Sequence, residues 1–273
     1  MPELPEVQTV IDTLKGMILN KTIADINILY EPIIVGDVDE FKKILKGQTL
    51  KDIKRRGKYL IFEFDKIAMV SHLRMEGKYF VMHNGDPITK HMHVIFEFAD
   101  GTSLRYNDTR KFGRMELIPL NDGNGYRDFH GLGPEPFGQD FNFDYVKGFL
   151  KKVHKPIKTV LLEQKLVTGI GNIYADEILF KVGINPNRAA NQLNDQNIHD
   201  LIKYTNEILL AAIESGGTTI RSYTSSLGVT GRFQLSLNVH TKEGEPCPKC
   251  GTIIKKTRVG QRGTYYCPNC QKD

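Results

Sequence analysis

Apolar residues between Leu4 and Ile18 fall three and four positions apart: Val7, Val10, Ile11, Leu14, Met17 and Ile18. That spacing puts them on one stripe of a helix. Pro2, Glu3, Pro5 and Glu6 stand at its start, where proline suits the first turn and carboxylates suit the positive end of the helix dipole. From residue 21 to residue 119 the pattern shortens. Thr22–Tyr30, Thr49–Ile53, Tyr59–Phe64, Ala68–Leu73, Tyr79–Met82, His93–Phe98 and Ser103–Tyr106 are rich in β-branched and aromatic residues. Gly or Asp/Asn turns separate many of these runs, which predicts strands. One helical insert is predicted over Val38–Leu45. Repeated short strands with a single long helix predict an antiparallel β-sandwich against which that helix packs.

Residues 121–142 are dense in Gly, Pro, Asn and Asp and carry little periodicity, so a domain boundary is expected there. Beyond it, Phe143–Val153, Ile157–Gln164, Ile173–Val182 and Gln196–Ser215 have helical spacing, broken at Gly169, Gly171 and Gly183. Residues 216–231 are small, polar and flanked by glycine, which suits a mobile loop. A strand is expected near Phe233–His240. The fold class is therefore α+β. The expected domains are 1–130 (sandwich), 131–142 (linker), 143–235 (helical, with the 216–231 loop) and 236–273 (cysteine-rich tail).

A net charge of +5 on 273 residues makes a polyanion a plausible partner without specifying one. No apolar run approaches the roughly 20 residues needed to cross a bilayer, and the acidic start lacks the layout of a secretory signal. A cytosolic monomer with no membrane partner is expected. All four cysteines, Cys247, Cys250, Cys267 and Cys270, lie in a Cys-x2-Cys-x16-Cys-x2-Cys tail. In a reducing compartment this spacing points to one tetrahedral zinc ion, and four thiolates leave no open position for catalysis. Lysines and arginines outnumber carboxylates in the same segment, so the tail is also a plausible phosphate-binding hairpin.

Chemistry concentrates at the start of the chain. If Met1 is removed, Pro2 becomes a secondary amine with a pKa of about 8, part of it neutral at physiological pH. Such an amine attacks an aldehyde-like carbon and gives an iminium, an electron sink that permits elimination. Glu3 and Glu6 are placed to move protons beside it. Three further clusters stand out. Arg55-Arg56-Gly57-Lys58 lies between two predicted strands and reads either as a phosphate-facing basic turn or as a solvated hairpin tip. Gly169-Ile170-Gly171-Asn172 opens a helix, with Asn172 as the expected N-cap. Met75 in His72-Leu73-Arg74-Met75 and Phe112 in Asp108-Thr109-Arg110-Lys111-Phe112-Gly113 are either core residues or wedges that enter a base stack, with an arginine replacing an extruded base.

Taken together, PELPEV, RRGKYL, SHLRMEG, DTRKFG, LGPEP, GIGNIYADE, GGTTIR and the terminal cysteines resemble the formamidopyrimidine-DNA glycosylase family of bacterial base-excision repair. The resemblance spans nearly the whole chain. It implies a β-sandwich with an N-terminal helix, a helix-two-turn-helix domain and a zinc finger. It also implies a glycosylase and abasic-site lyase acting on double-stranded DNA that carries oxidised purines (8-oxoguanine, formamidopyrimidines) or abasic sites. By the same resemblance Pro2 is the nucleophile at C1′, Glu3 assists base release, and Glu6 and Lys158 support the site. Lys58 and Arg262 match the groups associated with β- and δ-elimination. His72, His91, Arg110, Lys158, Asn172, Arg221 and Arg262 are expected at DNA. Met75, Arg110 and Phe112 match a void-filling triad, and residues 216–231 match a lid over the extruded base.

The chain departs from the family pattern at Gln8, where a third glutamate is frequent, at Thr109, and at His240-Thr241, where Tyr-Gly often precedes the zinc finger. Leu4 favours this branch over the endonuclease VIII branch, which prefers oxidised pyrimidines. A non-catalytic zinc-finger DNA-binding protein and a small-molecule tautomerase with an N-terminal proline are the rivals from other classes.

Overall fold

The computed structural model of the chain describes residues 1–120, 129–218 and 231–272. Residues 1–129 with 216–231 form one compact unit, and residues 130–215 with 232–273 form the other.

In the first unit, α1 (Leu4–Ile18) buries Val7, Val10, Ile11, Leu14 and Ile18, the predicted stripe. Met17, expected on that stripe, is 42% exposed at its edge. Each fully buried aliphatic side chain contributes about 1.5–3 kcal/mol, so this face outweighs the roughly 1 kcal/mol typical of a helix cap. Two four-stranded antiparallel sheets follow. One has the order β1 (Ile23–Ile28), β6 (Met92–Phe98), β7 (Thr102–Asn107), β5 (Lys78–His83). The other has the order β2 (Asp52–Arg56), β3 (Tyr59–Glu63), β4 (Ile67–His72), β8 (Arg114–Pro119). Their inner faces share one core with α1 that includes Ile26, Val94, Phe96, Leu104 and Tyr106 from the first sheet and Leu60, Phe62, Met69 and Met115 from the second. The helical insert α2 spans Val38–Leu45 as predicted, and its N-cap Asp37 accepts the Glu40 amide at 2.7 Å.

In the second unit, α3 (Phe143–Leu150), α4 (Ile157–Leu162), α5 (Asn172–Val182) and α6 (Asp195–Glu214) follow the predicted helical spans. The tail forms the hairpin of β9 (Lys255–Val259) and β10 (Arg262–Tyr266). Phe180 of α5 shares a buried cluster with Val239, Cys247, Ile254 and Cys267, so the cysteine tail and the helices have a common core. Two local expectations change. Phe233–Ser236 is a short 3-10 turn, not a strand. The backbone amides of Asn238, Val239 and His240 donate to the Glu177 carboxylate, which takes the place a partner strand would have filled. Asn172 is the first residue of α5, and Gly171 is its N-cap. Among the described residues no helix is long and apolar enough to cross a membrane.

Candidate active site

Pro2, Glu3 and Glu6 are all buried where α1 begins, with Met1 39% exposed in front of them. Glu6 organises this corner. Its Oε2 accepts the Glu3 amide at 2.9 Å, and its Oε1 accepts the Thr218 amide at 2.7 Å and the Thr218 hydroxyl at 3.0 Å. Three donors leave the carboxylate little freedom, and it ties the first helical turn to the start of the 216–231 segment. Gly217 lies against the same group: with φ +75°, an added Cβ would sit 2.8 Å from Glu6 Oε1. Residues 219–230 of the expected lid, Arg221 among them, lie outside the described residues.

The basic turn sits against the same helix. Arg55 Nε donates to Gln8 Oε1 at 3.0 Å, which fastens the β2–β3 hairpin to α1 about one turn beyond Glu3. Gly57 has φ +57°, as a two-residue hairpin loop requires, and Arg56 pairs with Tyr59 across it. Arg56 and Lys58 are buried, at 8% and 5% exposure, which excludes the solvated-tip reading.

The turns that carry Met75 and Phe112 meet. Arg114 pairs with His72 across β4 and β8. Cβ atoms built at Gly77 and Gly113 would fall 2.2 Å and 1.8 Å from the same Tyr106 hydroxyl, so both turns close on that oxygen and only glycine fits at either place. Thr109 donates a hydrogen bond to Glu76 between them. Phe112 is 48% exposed, and the Arg110 guanidinium lies 4.7 Å from its ring centre, so the core reading of Phe112 fails. Met75 is half-buried. His72, by contrast, is 7% exposed, stands edge-on to Tyr59 and accepts the Arg74 amide at 2.9 Å through Nδ1. Its ring shapes the turn that carries Met75. His91 is partly exposed, with its carbonyl accepting the Asp108 amide.

In the second unit Lys158, expected at DNA, is fully buried. Its ammonium donates to Asp176 Oδ1 at 2.7 Å, Thr264 Oγ1 at 2.8 Å and the Gly263 carbonyl at 3.2 Å. Asp176 Oδ2 also accepts His240 Nδ1–H at 2.7 Å and the Tyr265 amide at 3.3 Å. Asn172 Nδ2 adds a bond to the Gly263 carbonyl at 3.1 Å. These groups hold the hairpin end that exposes Arg262. Lys158, Asn172 and His240 therefore hold the hairpin from within, and this inward network is the part that motif reading missed; the one signal pointing to it was His240 in a place where tyrosine is usual.

The four cysteine sulfurs all lie within 4.8 Å of one another, with Cys250–Cys267 at 3.5 Å and Cys247–Cys270 at 3.9 Å. Tetrahedral ligands about 2.3 Å from a zinc ion would be about 3.8 Å apart, so the set fits. Hydrogen bonds led by the Thr252 side chain draw the Cys250 thiol down to about 5, while burial and the neighbouring sulfurs push Cys270 up to about 12. Such a set needs a cation to become four thiolates together.

Family models match along the chain: the formamidopyrimidine-DNA glycosylase N-terminal domain at residues 1–115, the formamidopyrimidine-DNA glycosylase H2TH domain at 132–224, and the zinc finger found in FPG and IleRS at 244–272. The formamidopyrimidine-DNA glycosylase of Enterococcus faecalis is 50% identical over 273 residues, covering 100% of this chain and 98% of its own. That of Bacillus subtilis is 48% identical, with 99% of each covered. The Lactococcus lactis protein solved with an abasic site containing DNA superposes with a TM-score of 0.94 at 44% identity, over 99% of this chain and 100% of its own. The wild-type Lactococcus lactis protein solved with an oxidized pyrimidine containing DNA superposes at 0.93 and 44% identity, over 100% of both. A buried Pro2 with two buried carboxylates in the same turn, a pair of turns closed on one hydroxyl and a four-sulfur cluster thus occur in a chain that belongs to the formamidopyrimidine-DNA glycosylase family.

Proposed function

We propose that this chain is a bifunctional glycosylase and abasic-site lyase that removes oxidised purines from duplex DNA in the bacterial cytosol. The observation that carries the reading is the N-terminal corner: Pro2 buried beside Glu3, with Glu6 fixing the turn that holds both. Once Met1 is removed, the Pro2 nitrogen has a lone pair for C1′ of an extruded nucleotide. Glu3 supplies a proton as the base leaves, and the iminium on Pro2 acidifies the C2′ hydrogen, so the 3′ phosphate departs by β-elimination. Lys58 is the proton carrier assigned to that step, and Arg262 the one assigned to departure of the 5′ phosphate. His91, Arg110 and Asn172 are assigned to DNA binding, as are His72 through its turn, Lys158 through the hairpin, and Arg221. Met75, Arg110 and Phe112 fill the space left by the extruded nucleotide. Zinc at Cys247, Cys250, Cys267 and Cys270 is structural and supplies no chemistry to the reaction.

Borohydride reduction tests the reading. Wild-type protein should be trapped covalently on duplexes carrying 8-oxoguanine, and Pro2→Gly should not. Run beside a thymine glycol duplex, the same assay decides between purine and pyrimidine preference; faster excision of thymine glycol overturns the purine assignment. Active material that retains Met1 by intact mass overturns the nucleophile.

A further inference from the structure

Asp108 follows β7 and is completely buried, yet among the described residues no cation pairs with it. Its partners are the N–H groups of the wedge turn. Oδ1 accepts the Arg110 amide at 2.9 Å, and Oδ2 accepts the Phe112 and Gly113 amides, each at 2.9 Å, and the Tyr106 hydroxyl at 3.4 Å. The Asp108 backbone is held as firmly, its amide donating to the His91 carbonyl and its carbonyl accepting His93 Nε2–H at 2.8 Å. Within this ring of donors Lys111 takes φ +58°, a left-handed conformation that a lysine rarely adopts unless its surroundings impose it. Arg110, Lys111 and Phe112 project outward from it, all exposed.

We propose that Asp108 is a positioning residue for lesion extrusion. Its carboxylate draws three amides of the turn inward, so that Arg110 and Phe112 stand ready before DNA arrives and no ordering is left to be done during insertion. The proposal rests on the function given above, because it concerns only the step in which the wedge replaces the extruded nucleotide. A near-isosteric amide cannot replace the carboxylate. One of its two arms would be an NH2 group facing backbone N–H donors.

The test compares wild type, Asp108→Asn, the double variant Arg110→Ala/Phe112→Ala, and the three changes combined, on two duplexes under single-turnover conditions. One duplex carries 8-oxoguanine and the other a preformed abasic site. Asp108→Asn is expected to slow excision of 8-oxoguanine about tenfold or more while slowing incision at the abasic site less than about threefold. Added to the double variant, it should lower excision no further, because its effect passes through side chains already removed. Losses that multiply in the combined variant, or that are equal on the two duplexes, mean that Asp108 only maintains the fold and overturn the proposal. A wild-type protein that excises nothing overturns the functional reading, and this inference with it.

Discussion

Glu6 and Thr218 stand 212 positions apart, and one carboxylate oxygen of Glu6 accepts both the amide and the hydroxyl of Thr218. The other oxygen accepts the Glu3 amide. A single buried side chain thus sets the turn that carries Pro2 and Glu3 and the start of the proposed lid together.

Replacing Glu6 with alanine should leave buried donors without an acceptor, at about 1–3 kcal/mol for each such group. Lower thermal stability and at least about tenfold weaker borohydride trapping are expected. Gly217→Ala should produce a milder form of the same loss, about 1–2 kcal/mol, since its φ is left-handed and its Cβ would press on Glu6. Melting curves and trapping yields check both, and a Glu6→Ala protein that melts and traps like wild type refutes the coupling.

Glu3→Gln should separate the two activities. General acid catalysis is typically worth about 100-fold or more, and that factor should disappear from 8-oxoguanine excision. Incision at a preformed abasic site needs no base release and should fall far less. Parallel single-turnover rates on the two substrates provide the comparison.

Removing one member of the Lys158–Asp176 pair strands a fully buried charge. Lys158→Met should cost about 3–5 kcal/mol, and Lys158→Met/Asp176→Leu should regain much of it, since burying two charges is itself expensive. Denaturant midpoints measure the difference. The product ratio gives a second readout: a loosened hairpin end should leave more β-elimination product relative to β,δ-elimination product, through Arg262.

Chelation, or Cys250→Ala, should melt residues 244–272 and reduce affinity for any duplex, damaged or not. Thiolates, not thiols, bind the metal, so zinc retention should weaken as pH falls. Bound zinc measured across a pH series tests this, and retention that improves on acidification contradicts four-sulfur ligation.

Lys21 holds Asp100 well below the usual carboxylate range, first through their hydrogen bond, with Thr102 adding to the effect. Because the folded-state pKa is depressed, the contribution to stability is complete above the unfolded value of about 3.9 and fades as pH falls through the folded value. Lys21→Met should therefore be less stable than wild type near neutrality, and the two should converge in strong acid. Urea midpoints at several pH values measure the gap.

Much of the local structure was determined by the sequence alone. The three- and four-residue spacing after Pro5 gave α1, short β-branched runs gave the strands, and Val38–Leu45 formed the helix its pattern required, because periodicity reflects which face of an element leaves water. The cysteine spacing identified the sulfur cluster for an equally local reason: two short knuckles each present a pair of thiols. Tertiary structure decided the rest. No pattern within a few residues could place Thr218 on Glu6, close two distant glycine turns on the Tyr106 hydroxyl, or draw Lys158 inward to Asp176 when its charge suggested the surface. Phe233–Ser236 forms a turn and Gly171 caps α5 for the same reason, since Glu177 and the packed hairpin supply partners that neighbouring residues do not. Short-range preference selects each element, but the partner of a buried polar group is settled only when the chain closes and water is excluded.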